Sequence, residues 1–144
     1  RIISEMTGHR LLDTDEMIVR RANRSIPEIF EQSGEAAFRA LERDAVAEAA
    51  KQSGVIIATG GGAAIDPRNV QMLRQNGELC FLDRPLEKLC VTPDRPLSKS
   101  AVSLKKRFEE RYPIYCSACD FHIAVSGKPE DAARQVLNAI GEKI

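Results

Sequence analysis

The chain has 144 residues, 43% hydrophobic and 29% charged, which is enough for one domain with one sizeable core. Lys plus Arg and Asp plus Glu balance at 21 each, so the zero net charge gives no support to a nucleic-acid surface, and any anion site must be a local cluster. No apolar stretch approaches the ~18 residues of a membrane span, and the expected setting is cytoplasmic, with no membrane partner.

The elements follow in chain order. Ile2, Ile3 and Met6 read as one face of a helix stopped by Gly8. Arg10-Leu11-Leu12 reads as a short strand ending in Asp13-Thr14-Asp15, with a helix over 16–23 behind it. Ser25-Ile26-Pro27-Glu28 has capping-box spacing and opens a short helix through Phe30. Ser33 is placed to cap the next helix, whose Phe38, Leu41, Ala45 and Ala49 follow the helical period. Val55 to Thr59 reads as a buried strand, and Asp66-Pro67 starts a helix that runs to about Asn76. Leu79 to Leu82 is a further strand, and a polar connection over 83–100 follows, with 87–100 its mobile part. A helix from Ala101 toward Tyr115, bent or interrupted near Pro113, precedes a strand over 121–125 and a last helix opened by Pro129. Strands alternating with helices imply an α/β fold with a parallel sheet covered on both faces.

Candidate chemistry lies at the strand ends. Gly60-Gly61-Gly62 directly follows the apolar strand, where bare backbone can meet a ligand and glycine tolerates unusual φ values. The alternative is a plain strand-to-helix turn. Asp13 and Asp15 share a direction if the strand runs through both, as for a hydroxyl-orienting base or a hydrated Mg²⁺ site. Either aspartate can instead cap the helix behind it. Arg39 and Glu42 are three apart on a helix. On a solvated face the pair contributes only about 0.2–0.5 kcal/mol, whereas facing a crevice Glu42 would fix the Arg39 rotamer. Arg95, in Asp94-Arg95-Pro96-Leu97, is either solvated or closes over a phosphate. Arg111, in Arg111-Tyr112-Pro113-Ile114-Tyr115, is either a surface ion pair or a bidentate carboxylate grip. Cys116 and Cys119 have C-x-x-C spacing without a second pair or nearby His. With Cys80 and Cys90 they read as reduced structural thiols.

The order D-T-D, F-R-x-x-E, A-T-G-G-G, D-R-P-L and R-x-P-x-Y resembles shikimate kinase from Leu11 to about Val125. The resemblance implies a single domain over 1–144 with the three-layer P-loop kinase fold and a lid over about 87–100. It implies transfer of the γ-phosphoryl of ATP to the 3-hydroxyl of shikimate, a step toward chorismate and the aromatic amino acids, with Mg²⁺ as cofactor and a monomeric state. It also implies the roles. Asp15 holds the ring hydroxyls and orients or deprotonates the attacking one. Arg39 and Arg111 clamp the carboxylate, Glu42 pairs with Arg39, and Gly60, Gly61 and Gly62 offer backbone. Asp13 reaches Mg²⁺ through water, and Arg95 closes the lid on the phosphates. Lys128 and Pro129 lie near the base, with Lys128 where an arginine is frequent.

Two departures qualify this. The phosphate loop G-x-x-x-x-G-K-[ST] is not in the sequence, so the protein is expected to extend upstream by on the order of 20 residues carrying a central first strand and that loop. The polypeptide 1–144 alone is then expected to be inactive. The lid segment is also short, which leaves the adenine contacts open. A related small-molecule kinase, such as a gluconate kinase, is an alternative, as is a non-catalytic shikimate-binding module.

Overall fold

The computed structural model describes residues 1–85 and 101–141. Arg95 and the lid segment 87–100 lie outside the described residues. Helix α1 (Ile2–Thr7) ends on Gly8, whose φ of 78° closes the last turn. Strand β1 (Arg10–Asp13) leads into α2 (Thr14–Ala22). The strand stops at Asp13, whose carboxylate Oδ1 accepts the backbone N–H groups of Asp15 and Glu16 at 2.9 and 3.3 Å. Asp13 therefore caps the helix and Asp15 sits in its first turn, so the two carboxylates do not share one strand face.

Helix α3 (Ile26–Ala50) opens with the capping box: Ser25 Oγ accepts from the Glu28 N–H, and Glu28 Oε1 accepts from the Ser25 N–H. The two helices expected here join across a kink at Gly34, where φ 83° and ψ 174° lie outside the helical region. Strand β2 (Val55–Ala58) leads through the triplet and a short 3₁₀ turn (Ala63–Ile65) into α4 (Pro67–Gln75), capped by Asp66. Strand β3 (Cys80–Asp83), helix α5 (Ala101–Ala118), strand β4 (Phe121–Ala124) and helix α6 (Pro129–Ile140) complete the described order. Helix α5 continues through Pro113 instead of ending near Tyr115. Proline removes one helical hydrogen bond. Tyr112 and Tyr115 on either side pack against Phe81, at ring-centroid distances of 5.7 and 5.2 Å, and hold the last turns in place.

All pairing is parallel, β1 with β2 and β3 with β4, in two separate two-stranded sheets. Each strand thus has one ladder partner among the described residues. β2 is half-buried along its length and not the buried strand expected. The densest packing lies between helices: Ile18 of α2 against Ile29, Phe38 and Ala45 of α3. Burying a side chain such as Ile or Phe contributes about 1.5–3 kcal/mol, so this cluster fixes α3, and with it Arg39 and Glu42. A second buried face, Ala132, Ala133, Val136 and Leu137, secures α6.

Candidate active site

A cavity of about 340 Å³ opens at the carboxyl ends of the strands. Its floor is Thr59 and the triplet, and the first turn of α2 contributes Asp15. α3 supplies Phe38, Arg39 and Glu42, while α5 supplies Arg107, Phe108, Arg111 and Tyr115. Four arginines (39, 84, 107 and 111) face three carboxylates (Asp15, Glu42 and Asp83), so the cavity favours an anionic guest.

The triplet is matched residue by residue to the charged groups. A Cβ on Gly60 would lie 3.1 Å from Asp15 Oδ1, and one on Gly61 would lie 3.2 Å from Arg111 Nη1. One on Gly62 would lie 2.6 Å from Arg39 Cζ. Positive φ is not what these three residues need; Gly62, for example, has an ordinary φ of −79°. The triplet is glycine because four side chains, Asp15, Arg39, Arg111 and Tyr115, converge on it.

Arg39 is locked from behind. Its Nη1 donates to Glu42 Oε1 at 3.0 Å, and its Nη2 lies 3.5 Å from Glu35 Oε1. Glu42 is 1% exposed, so the pair belongs to the crevice and not to a solvated face. Burial pushes the Glu42 carboxyl above its ordinary range, opposed by the Arg39 charge and hydrogen bond. Tyr115 Oη donates to Gly61 O at 2.6 Å and ties α5 to the triplet. At the other side of α5, Tyr112 Oη donates to Asp83 Oδ2 at 2.7 Å. That bond pushes the Tyr112 phenol up to about 12, with burial and the Asp83 charge adding to it. His122 Nε2 lies 2.7 Å from the same Asp83 oxygen.

The cavity therefore brings together Asp15, Arg39, Glu42, Gly60, Gly61, Gly62 and Arg111. Asp13 is drawn into its cap and is not in the lining. Lys128 and Pro129 open α6 outside the lining. Sequence reasoning missed Tyr115 as a contact of the triplet. It also missed Arg107, which the four-residue spacing to Arg111 on one helix face would have flagged. Arg84 and the aromatic wall carried no signal. Among the described residues no three His, Cys, Asp or Glu side chains are grouped to hold a metal, and Cys80, Cys116 and Cys119 are free thiols. No described helix is long and apolar enough to cross a membrane.

A family model described as shikimate kinase matches residues 1–141. The shikimate kinase of Thermoanaerobacter pseudethanolicus is 39% identical over 136 residues, covering 89% of this chain and 79% of the relative. That of Persephonella marina is 33% identical over 146 residues, covering 97% of this chain and 88% of the relative. The solved structure of shikimate kinase from Acinetobacter baumannii in complex with shikimate superposes with a TM-score of 0.91 at 30% identity, covering 97% of this chain and 83% of that one. The Aquifex aeolicus shikimate kinase structure gives a TM-score of 0.84 at 32% identity, covering 97% of this chain and 86% of that one.

Proposed function

This chain belongs to the shikimate kinase family, and we propose that its triplet-floored cavity is the acceptor site, with Asp15, Arg39 and Arg111 each working against one glycine. The chain is accordingly an ATP-dependent kinase that phosphorylates shikimate, and the gluconate-kinase and non-catalytic readings give way. The observation that carries the site assignment is the convergence of Asp15 on Gly60, of Arg111 and Tyr115 on Gly61, and of Arg39 on Gly62.

Shikimate is a small carboxylate with several ring hydroxyls. Arg39 and Arg111 clamp the carboxylate, each through charge-assisted hydrogen bonds. The triplet has no side chain to stand between the ring and the backbone. Asp15 accepts the proton of the 3-hydroxyl as that oxygen attacks the γ-phosphorus and the bond to the ADP oxygen breaks. In such a reaction most of the catalysis is positioning and charge neutralisation. Glu42 keeps the Arg39 fork from turning away.

Mg²⁺ bound to nucleotide phosphates retains waters and takes only one or two protein carboxylates. The donor set fits that mode, because Asp13 has one oxygen engaged in the helix cap and no all-protein cage stands beside it among the described residues. Asp13 would hold the hydrated ion through water, and the ion would neutralise charge on the phosphates. The lid role on the phosphates is proposed for Arg95, which lies outside the described residues, and a place beside the base for Lys128 and Pro129. A monomeric state and a cytoplasmic setting are part of the same proposal.

Phosphorus NMR of the product tests the assignment. A monoester on the 3-hydroxyl of shikimate, with gluconate left unreacted, is the expected result. Phosphate on another hydroxyl would remove Asp15 from its role.

A further inference from the structure

Helix α5 is fastened at two points by phenol hydroxyls. Tyr112 binds Asp83 at the end of β3, and Tyr115 binds the Gly61 carbonyl beyond the end of β2. Since β2 and β3 belong to separate sheets, α5 spans the interval between them. Arg111 stands beside Tyr112 and one turn before Tyr115, so Arg111 and Tyr115 share a helix face.

The Tyr115 bond bears directly on the triplet. A Cβ on Gly61 would lie 2.8 Å from Tyr115 Oη and 3.2 Å from Arg111 Nη1, so hydroxyl and guanidinium occupy the same side of that residue. The peptide joining Gly61 to Gly62 is planar and trans. Fixing the direction of the Gly61 carbonyl therefore fixes the Gly62 N–H to point the opposite way. This peptide is the central one of a turn closed by the Ala63 N–H to Gly60 O bond at 3.1 Å, and the Tyr115 hydroxyl adds the side-chain bond to its carbonyl. The Tyr115 ring has its own support, a tilted contact with Phe81 at 5.2 Å.

We propose that Tyr115 is a positioning residue of the acceptor site. Its hydroxyl holds the Gly61–Gly62 peptide in register and sets the separation between that backbone and the Arg111 guanidinium. It thereby tunes the grip on the shikimate carboxylate without touching the reacting atoms. The inference rests on the reading of this cavity as the acceptor site.

The test is steady-state kinetics of the full-length protein with Tyr115→Phe, which removes one oxygen and keeps the ring on Phe81. Tyr112→Phe serves as the comparison, because its hydrogen bond fastens the same helix away from the triplet. For Tyr115→Phe, KM for shikimate is expected to rise about threefold to tenfold, the scale of one neutral hydrogen bond. Both kcat and KM for ATP should stay within about twofold of wild type. Tyr112→Phe is expected to lower the melting temperature with a smaller rise in KM for shikimate. A Tyr115→Phe variant that loses only melting temperature, as Tyr112→Phe does, overturns the proposal. If Arg111→Ala leaves KM for shikimate unchanged, the cavity itself has been misassigned and the proposal falls with it.

Discussion

On the side proposed for the acceptor, the functional side chains converge on one glycine triplet. Asp15, Arg111 and Arg39 face the three glycines, Glu42 backs Arg39, and Tyr115 ties α5 to the triplet. The residues proposed for the nucleotide side are placed otherwise. Asp13 has one carboxylate oxygen in a helix cap, Lys128 and Pro129 open α6 outside the cavity lining, and Arg95 lies outside the described residues. The acceptor of a kinase is a small rigid ring, and a site for it can be fixed by mutual contacts among its own residues. Phosphates are gripped through backbone N–H groups of a loop and by charges that close over them.

The largest expected effect that sharpens this contrast is on turnover. Asp15→Asn keeps the size of the side chain and removes the base, so kcat should fall by about 10²- to 10⁴-fold, with the fold and the melting temperature retained. A variant turning over at the wild-type rate would break the acceptor assignment.

Gly62→Ala comes next. Its Cβ would displace an Arg39 guanidinium that cannot leave without stranding a buried Glu42. Stability should fall by about 1–3 kcal/mol, and shikimate affinity should fall with it. Denaturant titration and a binding isotherm measure the two together.

Glu42→Gln probes the same pair through pH. Glu42 has its folded pKa raised by burial, so the folded state holds the proton more tightly than the unfolded chain. Its contribution is fully present below the unfolded value near 4.5 and is lost as pH rises through the folded value. Stability against pH should therefore show a downward component in wild type that is missing in Glu42→Gln, and identical profiles would place Glu42 outside the buried pair.

The smallest effect is spectroscopic. The chain has two tyrosines, and Tyr112 should ionise only near 12. Its raised value means that the stability it contributes is intact below about 10 and lost as pH rises through about 12. An ultraviolet titration of Tyr115→Phe, which leaves Tyr112 as the single phenol, reads this directly. Ionisation near 10 would show that the Asp83 bond does not hold α5.

Much of this was legible in the chain because charge and glycine spacing survive folding in recognisable order. The capping box at Ser25, the stop at Gly8 and the Asp66-Pro67 start are local signals, and each lies where the sequence placed it. The burial of Glu42 was not legible on its own: a charged pair three residues apart reads the same on a solvated face as in a crevice. Only the packing of Phe38 and Ala45 on Ile18 decides which way that face turns. The glycines were anticipated as a place for close approach, but the reason differs. Converging side chains from α2, α3 and α5 demand them, and no local rule sees three helices at once. Pro113 misled for a similar reason, because tertiary contacts of Tyr112 and Tyr115 outweigh one lost helical bond.

Calorimetric titration of shikimate into the 144-residue chain without ATP, beside Arg111→Ala, tests the acceptor site most directly. The account expects saturable one-site binding, weakened about ten- to a hundredfold in Arg111→Ala by loss of a charge-assisted contact. Absence of binding to the wild-type chain, or equal affinity in the two proteins, would contradict it.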